Sequence, residues 1–317
     1  MATLVSFHAH PDDESIGSGG TIHRATQAGH RVVLVFGTRG ELGEPVPGVL
    51  AEGEQLAMRR TAEVYESARI LGVDRVEFLG YTDSGMIGES TNDAPWCFWQ
   101  ADVEQAARRL ATILEEEQPE VLTVYDDNGG YGHPDHIQVH RVGRRAGELA
   151  GVPAVVQGTI NRDVIARAMA RAAEFGIDLP APDDDPDGVS LAAGLAASLV
   201  EDTPDPEADA EAAAKAEADA ERLAQMQERS ESPDFGKPES VITHRVDVSG
   251  HLDAKKASML AHQSQIAPDH FLVSMPQEAF EYSFGHEWFI VDPLPEGDGP
   301  PLFQDLFEPK VAWGDPA

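Results

Sequence analysis

Short apolar runs recur along the first half of the chain, at residues 4–7, 31–36, 76–79, 121–125 and 154–156. Each is nearly continuous rather than alternating, which is the pattern of a strand covered on both faces. The stretches between them have helical spacing. Residues 102–117 set Val103, Ala106, Ala107, Leu110 and Leu114 on one face. Further helices are predicted at about 20–28, with Gly29 as the stop, at about 50–71 and at about 137–150. Strand and helix alternate at lengths that suit right-handed crossovers, so the expected fold is α/β. It is a Rossmann-like, mostly parallel sheet with helices on both faces.

The pattern changes near residue 160. Residues 161–239 read as an acidic helical insertion, partly mobile and exposed. Between 174 and 239 there are 19 acidic residues against 4 basic, and 207–229 is rich in Ala and Glu with almost no apolar stripe. Core character returns at 240–291, with an alternating strand at 240–248, a helix at 255–265 carrying His262, and an aromatic segment at 280–291. The Pro-, Gly- and Asp-rich residues 292–317 are expected to form a loosely packed tail. The units are thus a catalytic core at 1–160, the insertion, the return to the core and the tail.

Two of the apolar runs end abruptly in polar chemistry. Residues 4–7 lead into His8, His10, Asp12, Asp13 and Glu14, and residues 121–125 lead into Asp126, Asp127, Tyr131, His133, Asp135 and His136. In open α/β sheets the carboxyl ends of strands bind ligands. His10, Asp13 and His136 offer two imidazoles and a carboxylate, a set that suits catalytic zinc and also iron(II). Asp12, beside a ligand but free of the metal, is placed to act as general base. His133 would serve as general acid or oxyanion donor, Tyr131 between two glycines as a second donor, and Asp135 as the carboxylate orienting a histidine. Asp83, in the loop after 76–79, lies on the same rim and either caps a turn or touches substrate. A glycine-rich run at 17–22 resembles a dinucleotide fingerprint but lacks its last glycine, and the acids before it would repel a pyrophosphate.

Composition narrows the choices. The single cysteine, Cys97, excludes an intramolecular disulfide and a thiolate zinc site, and fits a reducing compartment. A net charge of −33 argues against nucleic acid or an anionic membrane as partner. No run of eighteen apolar residues and no leader pattern is read, so a cytoplasmic protein acting on a small molecule is expected.

The paired motifs, residues 9–14 and 130–136, closely resemble the PIG-L/LmbE-like family of zinc-dependent N-acetylglucosaminyl deacetylases, and most of all its mycothiol-pathway branch. The resemblance spans about residues 3–160 and, more faintly, 240–291. It implies zinc on His10, Asp13 and His136, Asp12 as base, and assistance to the oxyanion and leaving amine from His133 and Tyr131. It also implies substrate contacts from Arg60 and Asp83, with Glu14 of the first motif grouped beside them. The expected reaction is removal of the N-acetyl group from an N-acetylglucosamine conjugate such as N-acetylglucosaminyl-inositol. Related conjugate amidases carry a lysine where this chain has Gly17, which disfavours that activity. A secondary-metabolite deacetylase, a non-catalytic metal-binding module and an interaction protein built on the acidic helix are the competing readings.

Overall fold

The computed structural model describes residues 1–171, 174 and 235–313. Among them, eight strands form one sheet in the order β3-β2-β1-β4-β5-β7-β6-β8. These are β1 Thr3–His8, β2 Arg31–Phe36, β3 Arg75–Phe78, β4 Val121–Tyr125, β5 Ala154–Thr159, β6 His244–Asp247, β7 His286–Ile290 and β8 Glu308–Pro309. The first five are parallel, and β7, β6 and β8 continue the sheet antiparallel. The chain runs β1, β2, β3 toward one edge, then crosses to the other side of β1 to make β4. The crevice at the carboxyl ends of β1 and β4 is therefore the switch point, where such sheets bind ligands.

Each face of the sheet is covered. On one, Leu4, Val32, Leu34, Val121 and Val156 pack under helices α1 (Asp13–Gln27) and α2 (Leu56–Leu71). On the other, Val5, Phe7, Val33, Val35 and Leu122 meet α3 (Val103–Glu117) and α4 (Pro134–Ala150). This two-sided cover is why the strands are apolar at consecutive positions. Burying each such side chain contributes about 1.5–3 kcal/mol. A fifth helix, α5 (Arg162–Ala170), follows β5, and α6 (Leu252–Ala261) packs beside α1 and α2.

Several boundaries differ from expectation. Helix α1 begins at Asp13, not near Gly20, and takes the glycine-rich run into its body. A Cβ on Gly20 would lie 2.5 Å from Val248 Cβ, so the glycine permits close approach and does not mark a loop. Helix α2 starts at Leu56, later than the expected 50, and α6 is Leu252–Ala261 where 255–265 was expected. Only His244–Asp247 of 240–248 is strand. The aromatic segment divides into a helix, Gln277–Phe284, and β7.

The expected loose tail is instead part of the core. Its helix Pro301–Leu306 fully buries Leu302 and Leu306, and β8 pairs with β6. The apolar positions 302, 303, 306 and 307 share one helical face, a signal that the Pro and Gly content hid. Most of the acidic insertion, with its expected helix at 207–229, lies outside the described residues.

Candidate active site

The first motif leaves β1 and turns sharply. Asp12 has φ 118°, a conformation that costs a non-glycine residue about 1–3 kcal/mol and persists only where neighbours enforce it. Here the neighbours are explicit. The Asp12 N–H donates to Glu14 Oε2 at 2.9 Å, and Arg60 pairs with Asp12 Oδ1 at 3.1 Å while donating to Pro11 O. The adjacent carboxylates consequently face different partners: Asp12 meets Arg60, and Asp13 meets His10 and His136. The second motif leaves β4 through a glycine turn. Gly129 has φ 62°, and a Cβ there would sit 2.3 Å from His136 Cβ, so only glycine lets the turn lie against α4. His133 caps α4 and Pro134 begins it, which places His136 in the first turn.

Hydrogen-bond partners assign the ring nitrogens. His136 Nδ1 lies 3.1 Å from Gly129 O, an acceptor only, so Nδ1 carries the proton and Nε2 the lone pair. That Nε2 is 3.4 Å from Asp13 Oδ1. His10 Nε2 lies 3.2 Å from Asp135 Oδ2 and donates to it, which leaves the Nδ1 lone pair 3.5 Å from Asp13 Oδ2. Two imidazole lone pairs and one carboxylate thus converge, with all ligand atoms within 4.8 Å of one another. The set fits a zinc-type or iron(II) ion, with each histidine held from behind by an acceptor. His10, Asp83 and His133 also come within 4.8 Å. Their chemistry does not fit, because the Asp135 N–H donates to His133 Nδ1 at 3.1 Å and leaves His133 Nε2 protonated. In this arrangement His133 turns an N–H, and not a lone pair, toward the cleft.

The electrostatics favour positive charge at this centre, carried by a proton on His10 or by an ion in its place. Burial disfavours charge on His10, yet Asp83, Asp13 and Asp135 outweigh it and raise its pKa well above the usual value. Burial likewise opposes ionisation of Asp13, but His136 and His10 hold its carboxyl below the usual range. The centre is built to hold positive charge. Asp12 is different: burial pushes it up to about 6 against the pull of Arg60, with Asp13 adding to the rise. His133 is pushed down to about 2, first by burial and then by His10 and His136, so it stays neutral.

A cleft of about 550 Å³ opens over these groups, lined among others by Asp12, Arg60, Asp83, Tyr131, His133 and Gln265. Tyr131 OH lies 3.4 Å from His136 Nε2. Asp83 is buried at the wall and accepts from Leu42 N at 3.2 Å and Gly85 N at 2.9 Å. Arg60 lines the cleft, but its guanidinium is turned to Asp12, Pro11 and Gly40 O. Glu14 does not face the cleft. It is fully buried, and besides the Asp12 N–H its oxygens take Ser67 Oγ and His262 Nε2, each at 2.6 Å. Its place among the substrate contacts is corrected accordingly.

Sequence reasoning missed several supports. Ser84 gives both its hydroxyl and its N–H to Asp135, and neighbouring Asp83 could have pointed to it. Tyr125 OH lies 2.9 Å from His8 Nδ1, and His8 Nε2 lies 2.8 Å from Ser6 Oγ, a buried chain beneath the first motif. Ser67 and His262 carry no local signal, since only the fold brings them to Glu14.

Residues 5–147 match the family model PIG-L: GlcNAc-PI de-N-acetylase. A 1D-myo-inositol 2-acetamido-2-deoxy-alpha-D-glucopyranoside deacetylase of Salinispora arenicola (strain CNS-205) is 36% identical over 310 residues, covering 93% of this chain and 86% of the relative. An enzyme of the same name from Thermomonospora curvata is 36% identical over 316 residues, covering 93% of this chain and 91% of the relative. A conserved protein of Thermus thermophilus, solved as a crystal structure, is 21% identical, with 93% of this chain and 96% of that one covered and a TM-score of 0.49. With two relatives above a third identical along nearly the whole chain, and both strand-end motifs inside the matched region, the protein belongs to the PIG-L family of GlcNAc-PI de-N-acetylases.

Proposed function

We propose that the protein hydrolyses the N-acetyl group of an N-acetylglucosamine conjugate, with 1D-myo-inositol 2-acetamido-2-deoxy-alpha-D-glucopyranoside as the leading substrate, and that it uses a divalent metal to do so. The observation that carries the chemistry is the pairing of a directed His10–Asp13–His136 donor set with an adjacent carboxylate, Asp12, on the cleft. The substrate class is supported by the names of relatives that align along almost the whole chain.

A zinc or iron(II) ion on His10, Asp13 and His136 would supply Lewis acidity, making water nucleophilic near neutral pH and polarising the acetamide carbonyl. The chain's own groups do the rest. Asp12, whose carboxyl burial pushes above the usual carboxylate range, is the base that accepts the proton of the attacking water. Neutral His133 presents its Nε2–H, and Tyr131 its hydroxyl, to the oxygen that gains charge as the carbonyl becomes tetrahedral. The proton held on Asp12 then passes to the amine nitrogen as the C–N bond breaks, releasing acetate and the free amine. Asp135, gripped by Ser84, keeps the His10 ring turned so that its lone pair faces the ion site. Asp83 and Arg60 frame the cleft for the sugar and its partner group.

Amine release from N-acetylglucosaminyl-inositol, N-acetylglucosamine and a thiol-conjugate amide, assayed on metal-depleted protein with and without added zinc or iron(II), tests this reading. Metal-dependent release from the inositol conjugate is expected. Release from the thiol conjugate alone would move the activity to amidase, and no release from any of them would remove this substrate class.

A further inference from the structure

We infer that Glu14 and His262, with Ser67, form a buried clamp that positions the base Asp12. The inference rests on Asp12 being the base. Asp12 sits in a backbone conformation that its own sequence does not favour, so something must hold it there. Glu14 Oε2 accepts the Asp12 N–H at 2.9 Å, two residues away. The other oxygen of Glu14 is fixed by Ser67 Oγ from α2 and by His262 Nε2 at the end of α6, each at 2.6 Å. Glu14, Ser67 and His262 are all fully buried, and none of them lines the cleft.

Stability alone does not account for this arrangement. A buried ion pair is often no more stabilising than apolar residues of the same volume. His262 Nδ1 has no partner among the described residues, so the ring's side-chain hydrogen bond is the one to Glu14. Its reach is long: His262 stands 248 residues after Glu14 and arrives only through the segment that follows the insertion. The clamp acts on the backbone of Asp12, while Arg60 holds the carboxylate from the other side. Together they fix both ends of one residue. These are positioning residues, since neither Glu14 nor His262 can reach the reacting atoms.

The test compares wild type, His262→Leu, which has no donor for Glu14, Asp12→Ala and the double variant, using N-acetylglucosaminyl-inositol with zinc. Metal content and hydrogen exchange of the peptide containing Asp12 are measured in parallel. His262→Leu is expected to lower kcat about 10- to 100-fold, the scale of a sub-ångström to ångström misplacement, with KM within about threefold and full zinc content. In the Asp12→Ala background the same change should add little, because the clamp works through Asp12. Exchange at the Asp12 amide should quicken. Wild-type kcat in His262→Leu, additive losses in the double variant, or unchanged exchange would each overturn the inference. If His262→Leu fails to fold, Ser67→Ala carries the same comparisons with a smaller expected loss, and a wild-type kcat there overturns it. If wild type itself releases no amine, the deacetylase reading falls, and the exchange result alone decides whether the clamp exists.

Discussion

The buried ion pair between Lys255 and Glu287 gives the sharpest stability prediction. Lys255 Nζ lies 2.6 Å from Glu287 Oε1, with side-chain exposures of 1% and 3%. The pair also grips helix α1 by its backbone. Lys255 Nζ donates to Ile16 O at 2.7 Å, and Glu287 accepts from Gly20 N at 2.9 Å and Thr21 N at 2.8 Å. Replacing Lys255 by Met roughly keeps the volume but removes the ammonium, which lies 5.4 Å from the Phe284 ring centroid, and leaves a carboxylate buried without its cation. Removing one partner of such a pair costs about 3–5 kcal/mol. The two surviving amide donors still solvate Glu287, so the lower figure, about 3 kcal/mol, is expected. That is roughly two orders of magnitude in the folded-to-unfolded ratio. Adding Glu287→Gln removes the stranded charge but leaves one acceptor oxygen for the Gly20 and Thr21 N–H groups, so the double variant should regain about a third of the loss. Urea unfolding of the metal-depleted proteins, followed by circular dichroism, reads both values from the midpoints. A single variant within about 1 kcal/mol of wild type, or a double variant no more stable than the single, would refute the reasoning.

Asp12→Ala should keep stoichiometric metal by elemental analysis yet lose about 100- to 10,000-fold in kcat, the range of a general base. His136→Ala should not retain metal through gel filtration, since it removes one of three ligands. Ser84→Ala removes the hydroxyl bond to Asp135, which orients His10, but keeps the backbone N–H bond, so chelator competition should find metal affinity weaker by about 10-fold, the low end for such a support. His8 should make stability fall in acid. Burial first, only partly offset by Glu14 and Asp13, lowers its pKa to about 4. Between pH 6.5 and 4 the unfolded chain takes up a proton that the folded chain refuses, so stability drops across that window. In His8→Gln the drop of urea midpoint between pH 7 and 4.5 should be smaller than in wild type.

The fold was legible because the inner parallel strands are covered on both faces and so are apolar at nearly every position, as residues 4–7, 32–36 and 121–125 are, while β3 at the edge is only half-buried. The convergence of His10, Asp13 and His136 was legible for a related reason: polar residues crowded directly behind such strands mostly reach the crevice at the strand ends. What stayed hidden depends on contacts between distant elements. Nothing near Glu14 announces that it will turn inward to Ser67 and His262. Nothing near Gly20 announces that it accommodates Val248. The tail misled because proline, glycine and aspartate at 292–300 outweighed the four apolar residues that follow and pack.

The junction between residues 160–162 and 236–237 has a mechanical consequence. Lys237 N donates to Ile160 O at 2.8 Å, Arg162 N donates to Lys237 O at 3.1 Å, and Gly236 N donates to Gly130 O. Residues 160–162 and 236–237 are therefore stitched together, and through Gly236 the stitch reaches the glycine turn that carries Tyr131 and His133. A pull on this junction would be passed first to Gly130, one residue from Tyr131, so the turn and the junction must move as one piece.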